Sequence, residues 1–220
     1  SSEANKLFFD HMTIVGKISG LIITSDADGS RIFPRKGSVE ISRVLQELTG
    51  LYDELIAQPG SLVAKGSELY KKDGIVCTSA FNGTVAGIGE RIFIVGNPVV
   101  HKVAPGSVLC VSEGQIVNTG EAVVEFDPFS EPIISEVAGT VLFADIKEGS
   151  TLINEVNEET GNVERKITEH NLENLQPRMV IRLADGSEVT YSLPGGAYLQ
   201  VEEGAHIGVG TVLAKLSKAS

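Results

Sequence analysis

Residues 114–120 read Gly-Gln-Ile-Val-Asn-Thr-Gly, and residues 60–66 and 204–210 repeat the same pattern. Each copy has a glycine at both ends and Val or Ile at its centre, and a short apolar segment follows it. Glycine readily adopts the positive φ that tight turns require, while the central residue can point into a small core. The pattern therefore predicts an internal repeat built from a glycine turn and a strand.

A second sequence element follows the first two copies at similar distances. Asn82-Gly83-Thr84-Val85 lies 17 residues beyond the first copy, and Ala138-Gly139-Thr140-Val141 lies 19 residues beyond the second, counted from glycine to glycine. Each of these two copies is thus predicted to form one unit with the element that follows it. Further strands are expected on both sides of the Asp185-Gly186 turn, because Asp-Gly is typical of hairpins. Many short strands at this spacing predict a mainly β fold of the sandwich or barrel type.

One segment, residues 41–57, departs from this pattern. Its apolar residues follow helical spacing and form one face, and Pro59-Gly60 would end the helix. We therefore expect a helix that packs against the first β module, although the same face could bind a partner. The apolar residues are Ile41, Val44, Leu45, Leu48, Leu51, Tyr52, Leu55 and Ile56.

Charge divides the chain of 220 residues into two unequal parts. Residues 1–103 carry 11 basic and 11 acidic residues, whereas residues 104–220 carry 7 and 18, so the net charge of −11 lies in the second part. We predict two domains with these bounds, a neutral module with the helix and an acidic module. An acidic surface repels phosphate, which argues against wide nucleic-acid contact by residues 104–220; the charge could equally serve solubility alone.

The sequence predicts a cytoplasmic protein. No run of apolar residues approaches the ~18 of a membrane span, and the polar start is unlike a signal peptide. The two cysteines, Cys77 and Cys110, have apolar neighbours and no nearby Cys partner. We expect both to be buried free thiols in a reducing compartment.

Two kinds of carrier chemistry are open to a small β module. In biotinyl and lipoyl carrier domains a hairpin-tip lysine is acylated, and Lys71 and Lys72 occupy such a tip, but the flanking residues match neither carrier pattern. The tip of the second unit, Asp127-Pro128-Phe129-Ser130, has no lysine. A phosphocarrier-like barrel would need paired histidines, and the histidines, which lie far apart in sequence, are His11, His101, His170 and His206.

No catalytic, cofactor-binding or metal-binding residue is predicted. The histidines and cysteines form no ligand cluster, and neither a phosphate-binding loop nor a nucleophile elbow occurs. The adjacent carboxylates Glu158-Glu159 and Glu202-Glu203 would point to opposite faces of a strand.

The run from Val103 to Ile146 resembles a known family. It contains Gly-Gln-Ile-Val-Asn-Thr-Gly-Glu, then Phe126-Asp127-Pro128, then Pro-Ile-Ile-Ser-Glu-Val-Ala-Gly-Thr-Val-Leu-Phe-Ala-Asp. This order is similar to the large trigger-loop insertion of the bacterial RNA polymerase β′ subunit, with Phe126 in place of the usual Trp. The likeness extends through most of residues 103–217 and is looser in residues 1–102.

The resemblance implies tandem sandwich–barrel hybrid motif modules and a role in transcription. It implies a segment without catalytic competence, which moves with the loop that closes over the incoming nucleotide and so influences pausing and elongation. The expected partners are other parts of the β′ and β subunits and transcription factors. Mg and Zn would belong to the parent nucleotidyltransferase, with no cofactor in this segment. The two carrier hypotheses remain open beside this one.

Overall fold

The computed structural model describes residues 5–26, 28–48, 52–169 and 173–218, and every regular element in them is a β-strand. The predicted mainly β class is confirmed, and the pairings between strands are antiparallel. Five strands come first: β1 (Asn5–Phe8), β2 (Thr13–Ser19), β3 (Ile23–Thr24), β4 (Arg31–Ile32) and β5 (Gly37–Leu48). Six follow: β6 (Glu54–Leu55), β7 (Leu62–Val63), β8 (Glu68–Lys72), β9 (Ile75–Thr78), β10 (Gly83–Ile88) and β11 (Arg91–Val95).

The remaining strands form two further groups. Four are β12 (Val99–Val103), β13 (Val108–Leu109), β14 (Ile116–Val117) and β15 (Ala122–Phe126). Nine are β16 (Ser130–Ile134), β17 (Gly139–Ala144), β18 (Leu152–Val156), β19 (Val163–Ile167), β20 (Arg178–Arg182), β21 (Glu188–Ser192), β22 (Tyr198–Leu199), β23 (His206–Ile207) and β24 (Val212–Ser217).

The first module combines strands from two separate parts of the sequence. One sheet has the order β1-β15-β13-β4-β3, and the other contains β14, β2, β5 and β12. Their apolar faces enclose one core, in which Phe33 and Val39 are completely buried and Val117 and Val123 pack from the later segment. Residues 99–126 therefore complete a module that residues 5–48 begin.

The second module lies in sequence between β5 and β12. The far end of β5 pairs with β11, followed by β10 and β7, while β6, β8 and β9 form a small separate sheet. Leu69, Val85 and Ile94 are central to its core. A smaller apolar cluster around Ile14 and Phe93 connects this module to the first.

The third module contains β16 to β24. Its two sheets have the orders β16-β24-β22-β19-β18 and β21-β20-β17-β23, and they enclose Val141, Ile167 and Leu213. The hairpin predicted at Asp185-Gly186 is present between β20 and β21. The described residues thus form three main cores and one smaller apolar cluster, whereas two modules were expected.

The predicted helix over residues 41–57 is wrong. Ile41 to Leu48 belong to the twelve-residue strand β5, and residues 54–55 form β6; residues 49–51 lie outside the described residues. The strand contributes Ile41 to the first core and Leu48 to the second, and its pairing with β11 skips one residue at Leu45. Because a bulge shifts the side-chain alternation, the apolar residues acquire a spacing that resembles that of a helix.

The glycine repeat is confirmed as a structural unit. All six terminal glycines have positive φ, between 78° and 91°. In each copy the amide of the first glycine donates a hydrogen bond to the carbonyl oxygen of a buried valine. The amide of the last glycine donates to the carbonyl oxygen of the residue six positions before that valine. The acceptors are Val85 and Ser79, Val15 and Phe9, and Val141 and Ser135 for the copies starting at Gly60, Gly114 and Gly204.

These bonds change two details of the predicted repeat. Residues 114–120 pair with β2, and the element containing Gly139 pairs instead with the third copy. The central residue Val117 is 1% exposed, while Val63 and Ile207 are half-buried against their cores. The burial expected for all three is thus complete in one copy only.

The sheet organisation also differs from the division at residues 103/104. Strands β13, β14 and β15 pair with β4, β2 and β1, so residues 104–126 complete the first module. We propose instead a division between β15 and β16, near residues 127–129, with residues 52–95 as a module inserted in the first.

Thr13 offers a direct test of this packing. It occupies the position of Gly83 and Gly139 in the repeat, is completely buried, and its hydroxyl has no hydrogen-bond partner among the described residues. Because a buried hydroxyl without a partner is costly, we expect Thr13→Val to raise the free energy of unfolding by about 1 kcal/mol. Urea denaturation measures it, with Thr13→Ser, which keeps the hydroxyl, as the control; a destabilised Thr13→Val variant would contradict the assignment.

Candidate interaction surfaces

The hairpin that carries the candidate carrier lysines is β8–β9. Its turn is Asp73-Gly74, with φ of 51° and 77°. The Asp73 amide donates to the Asp53 carboxylate at 2.8 Å, and Lys71 Nζ lies 3.9 Å from Glu54 Oε2. In contrast, residues 127–130 connect the first and third modules and form no corresponding tip. The two tips compared in the sequence are therefore not equivalent.

The histidines are only partly brought together. His11 and His101 both contact the ring of Phe9, with centroid separations of 5.7 and 5.3 Å. The His11 ring nitrogen Nδ1 lies 2.7 Å from the Asp10 carboxylate, whereas His206 Nδ1 lies 3.1 Å from the Thr140 hydroxyl. His170 lies outside the described residues. No observation on these side chains favours phosphate transfer.

The adjacent carboxylates at residues 202–203 serve structural roles. Glu203 accepts a hydrogen bond from the Phe143 amide at 2.8 Å, and Glu202 lies 3.1 Å from Arg165. Among the residues that the structure describes, no group of three or more His, Cys, Asp and Glu side chains could hold a metal ion.

The cysteines differ from their predicted burial. Both are free thiols, but Cys77 is half-buried and Cys110 is exposed. Cys110 directly follows β13 and lies between the buried residues Leu109 and Val111, so its side chain is on the opposite, outer side of the chain. No helix in the described parts of the chain is long and apolar enough to cross a membrane.

The first and third modules are joined by polar and close-packed contacts that sequence reasoning missed. Arg35 Nε lies 2.7 Å from Glu136 Oε1, and the Glu136 amide donates to the Tyr191 hydroxyl at 2.8 Å. Beside this pair, Gly106 packs so closely on Pro132 that a Cβ would lie 2.4 Å from the proline ring. These contacts determine how the modules are oriented at their junction.

A groove with basic side chains lies at one side of the first module, and we call it the basic groove. Its main cavity has a volume of about 550 Å³ and lies between β1 and β12, because Leu7 and residues 100–103 both line it. Val124 and Phe126 form its apolar floor. Lys36, Lys102 and Lys218 border this cavity or the smaller ones beside it.

Comparison with known proteins shows that the chain is similar to part of much longer proteins. No family model matches it. It is 39% identical over 223 residues to the DNA-directed RNA polymerase subunit beta' of Borrelia turicatae, and 39% identical over 225 residues to that of Treponema denticola. These alignments cover 100% and 99% of the chain. The chain is homologous to a segment of the RNA polymerase β′ subunit. It spans only 16% of the length of these relatives.

The β′-like motif of residues 103–146 crosses the junction between modules. Its Asp127-Pro128 step directly follows β15, and the Asp127 carboxylate accepts hydrogen bonds from the Phe129 amide at 2.8 Å and the Ser130 hydroxyl at 2.7 Å. These bonds, above all that from Phe129, lower the pKa of Asp127. The turn is therefore stabilised above the ordinary carboxyl pKa and loses that contribution as the pH falls through the lowered value.

Proposed function

We propose that this chain is a non-catalytic insertion of the RNA polymerase β′ subunit that lies in the trigger loop and biases its movement. One observation carries the proposal: the whole chain aligns with a small part of β′ subunits. The resemblance of residues 103–146 to the trigger-loop insertion supports the more specific location. Binding partners would be the rest of β′, the β subunit and transcription factors, in the bacterial cytoplasm.

The proposed action is a shift of the equilibrium between open and closed trigger loops. A module changes this equilibrium only if its contacts with the polymerase differ in free energy between the two states. A difference of about 1.4 kcal/mol changes their ratio about tenfold, so a modest surface contact is sufficient. The electrically neutral residues 1–103 are the proposed contact surface. Residues 104–220 carry the negative charge, which the phosphates of nucleic acid near the polymerase would repel.

Deletion of the segment from the full polymerase tests this proposal. We expect pause lifetimes and elongation rates to change by about two- to tenfold, while nucleotide addition at a non-pausing site persists because the catalytic groups lie elsewhere. Two replacement linkers of different length serve as controls, since agreement between them excludes linker strain. Unchanged pausing, transcript cleavage and elongation on one template would refute the proposal.

A further inference from the structure

Two of the edge strands of the first module, β1 and β12, border the basic groove. β1 is the outermost strand of its sheet and pairs with β15 alone, and β12 pairs with β5 alone, within the described residues. The Phe9 ring, just after β1, contacts the His101 ring of β12, so the two strands approach at that end. We propose that the basic groove binds an extended acidic and apolar peptide from a partner protein by β-strand addition.

The backbone of β12 forms much of the groove wall. Val100, His101, Lys102 and Val103 all line the cavity, although successive side chains of a strand point to opposite faces. An edge that lines a cavity in this way presents unpaired N–H and C=O groups to it. A peptide backbone satisfies such groups directly, whereas a nucleic-acid strand has no matching ladder of donors and acceptors.

The side chains around the groove favour acidic and apolar residues in the occupant. Lys36 and Lys102 are exposed, and within the described part of the chain neither lies in an ion pair, nor does Lys218. Glu131 is the carboxylate at the end of the groove near Lys36. These cations would attract acidic side chains of a peptide, although the chain as a whole has a net charge of −11. Leu7 and Phe126 would contact the apolar side chains that alternate with them.

A labelled peptide of alternating Glu and Val, about six residues long, is the probe for the 220-residue chain. Fluorescence anisotropy should show saturable binding, and hydrogen exchange should slow at β12. We expect Lys36→Glu combined with Lys102→Glu to weaken binding about tenfold, because repulsion replaces attraction at two positions. Lys65→Glu with Lys72→Glu makes the same charge change in the second module and should leave the affinity unchanged.

Two further measurements decide between strand addition and other modes of binding. The same peptide with alternate backbone nitrogens methylated should fail to bind, because methylation removes the donors of the ladder. Equal binding of the methylated peptide, tighter binding of a single-stranded oligonucleotide, or no binding of the Glu-Val peptide would each overturn the inference. None of these outcomes bears on the deletion experiment, so failure here and failure of the proposed trigger-loop role are distinguishable.

Discussion

Replacement of Gly139 by Ala is expected to destabilise the third module by about 3 kcal/mol. Gly139 begins β17, and a Cβ there would lie 2.3 Å from the Arg182 carbonyl oxygen and 3.0 Å from the Ile181 side chain. Both neighbours belong to β20, which pairs with β17, so neither can move without disturbing the ladder. Urea denaturation with hydrogen exchange of β17 and β20 measures the loss.

Two other glycines provide matched comparisons. Gly83 has the same position in the second module, where a Cβ would lie 2.5 Å from the Val95 carbonyl oxygen. Gly83→Ala should therefore destabilise β10 and β11 and leave the third module unchanged. At Gly96 the nearest atoms are 3.9 Å away, so Gly96→Ala should change the free energy of unfolding by no more than about 0.5 kcal/mol. A Gly139→Ala variant as stable as Gly96→Ala would contradict the steric explanation.

Replacement of Phe33 by Ala is expected to cost about 4 kcal/mol and to unfold much of the first module. Phe33 is completely buried, and its ring packs against Gly37, where a Cβ would lie 2.4 Å from it. Its amide donates a hydrogen bond to the Ser107 carbonyl, and its carbonyl accepts one from the Gly106 amide. The ring is therefore held where the two sequence segments of this module meet. Truncation leaves a cavity that these backbone contacts prevent from collapsing.

Thermal and urea denaturation followed by circular dichroism test this expectation. Phe33→Leu retains most of the volume and should cost about 1 kcal/mol. Phe8, which is 59% exposed, provides the surface control, and Phe8→Ala should be nearly neutral. Equal stability of the Phe33→Ala and Phe8→Ala variants would show that the ring does not hold the core together.

The glycine turns were predictable because their signal is local. A positive φ favours glycine regardless of the distant partner, and the seven-residue spacing is visible in the chain itself. The partner of each turn was not predictable in the same way. Residues 114–120 bond to β2, at the beginning of the chain, although a similar element follows them much more closely.

The strand that connects the first two modules was hard to predict for a related reason. A strand that contributes side chains to two cores does not keep one alternation of buried and exposed residues along its whole length. β5, with its bulge at Leu45, is such a strand. Because the sequence predicts a helix over residues 41–57, it does not predict β5, the strand that connects the second module to the first. The boundary that we propose differs from the one that the charge distribution suggests, because residues 104–126 join the first core through apolar side chains such as Val117 and Val123.

No sequence motif predicts the basic groove. Leu7, Lys36, Lys102 and Lys218 come from four distant segments, and only the sheet topology brings them to one side of the module. The family resemblance does not indicate which surface of the chain binds a partner. The nearest sequence signal was the neutral charge balance of residues 1–103, which contain three of these four residues.

The long strand β5 has a mechanical consequence. It runs without interruption from the first core to the second, and the chain crosses back between them through β11 and β12. A force on the second module is therefore transmitted to the first along β5 and the strands paired with it, and we expect the two modules to turn together. The third module is reached by a single chain crossing near residues 127–129, so the Arg35–Glu136 ion pair and the packing of Gly106 on Pro132 must resist the load at that junction.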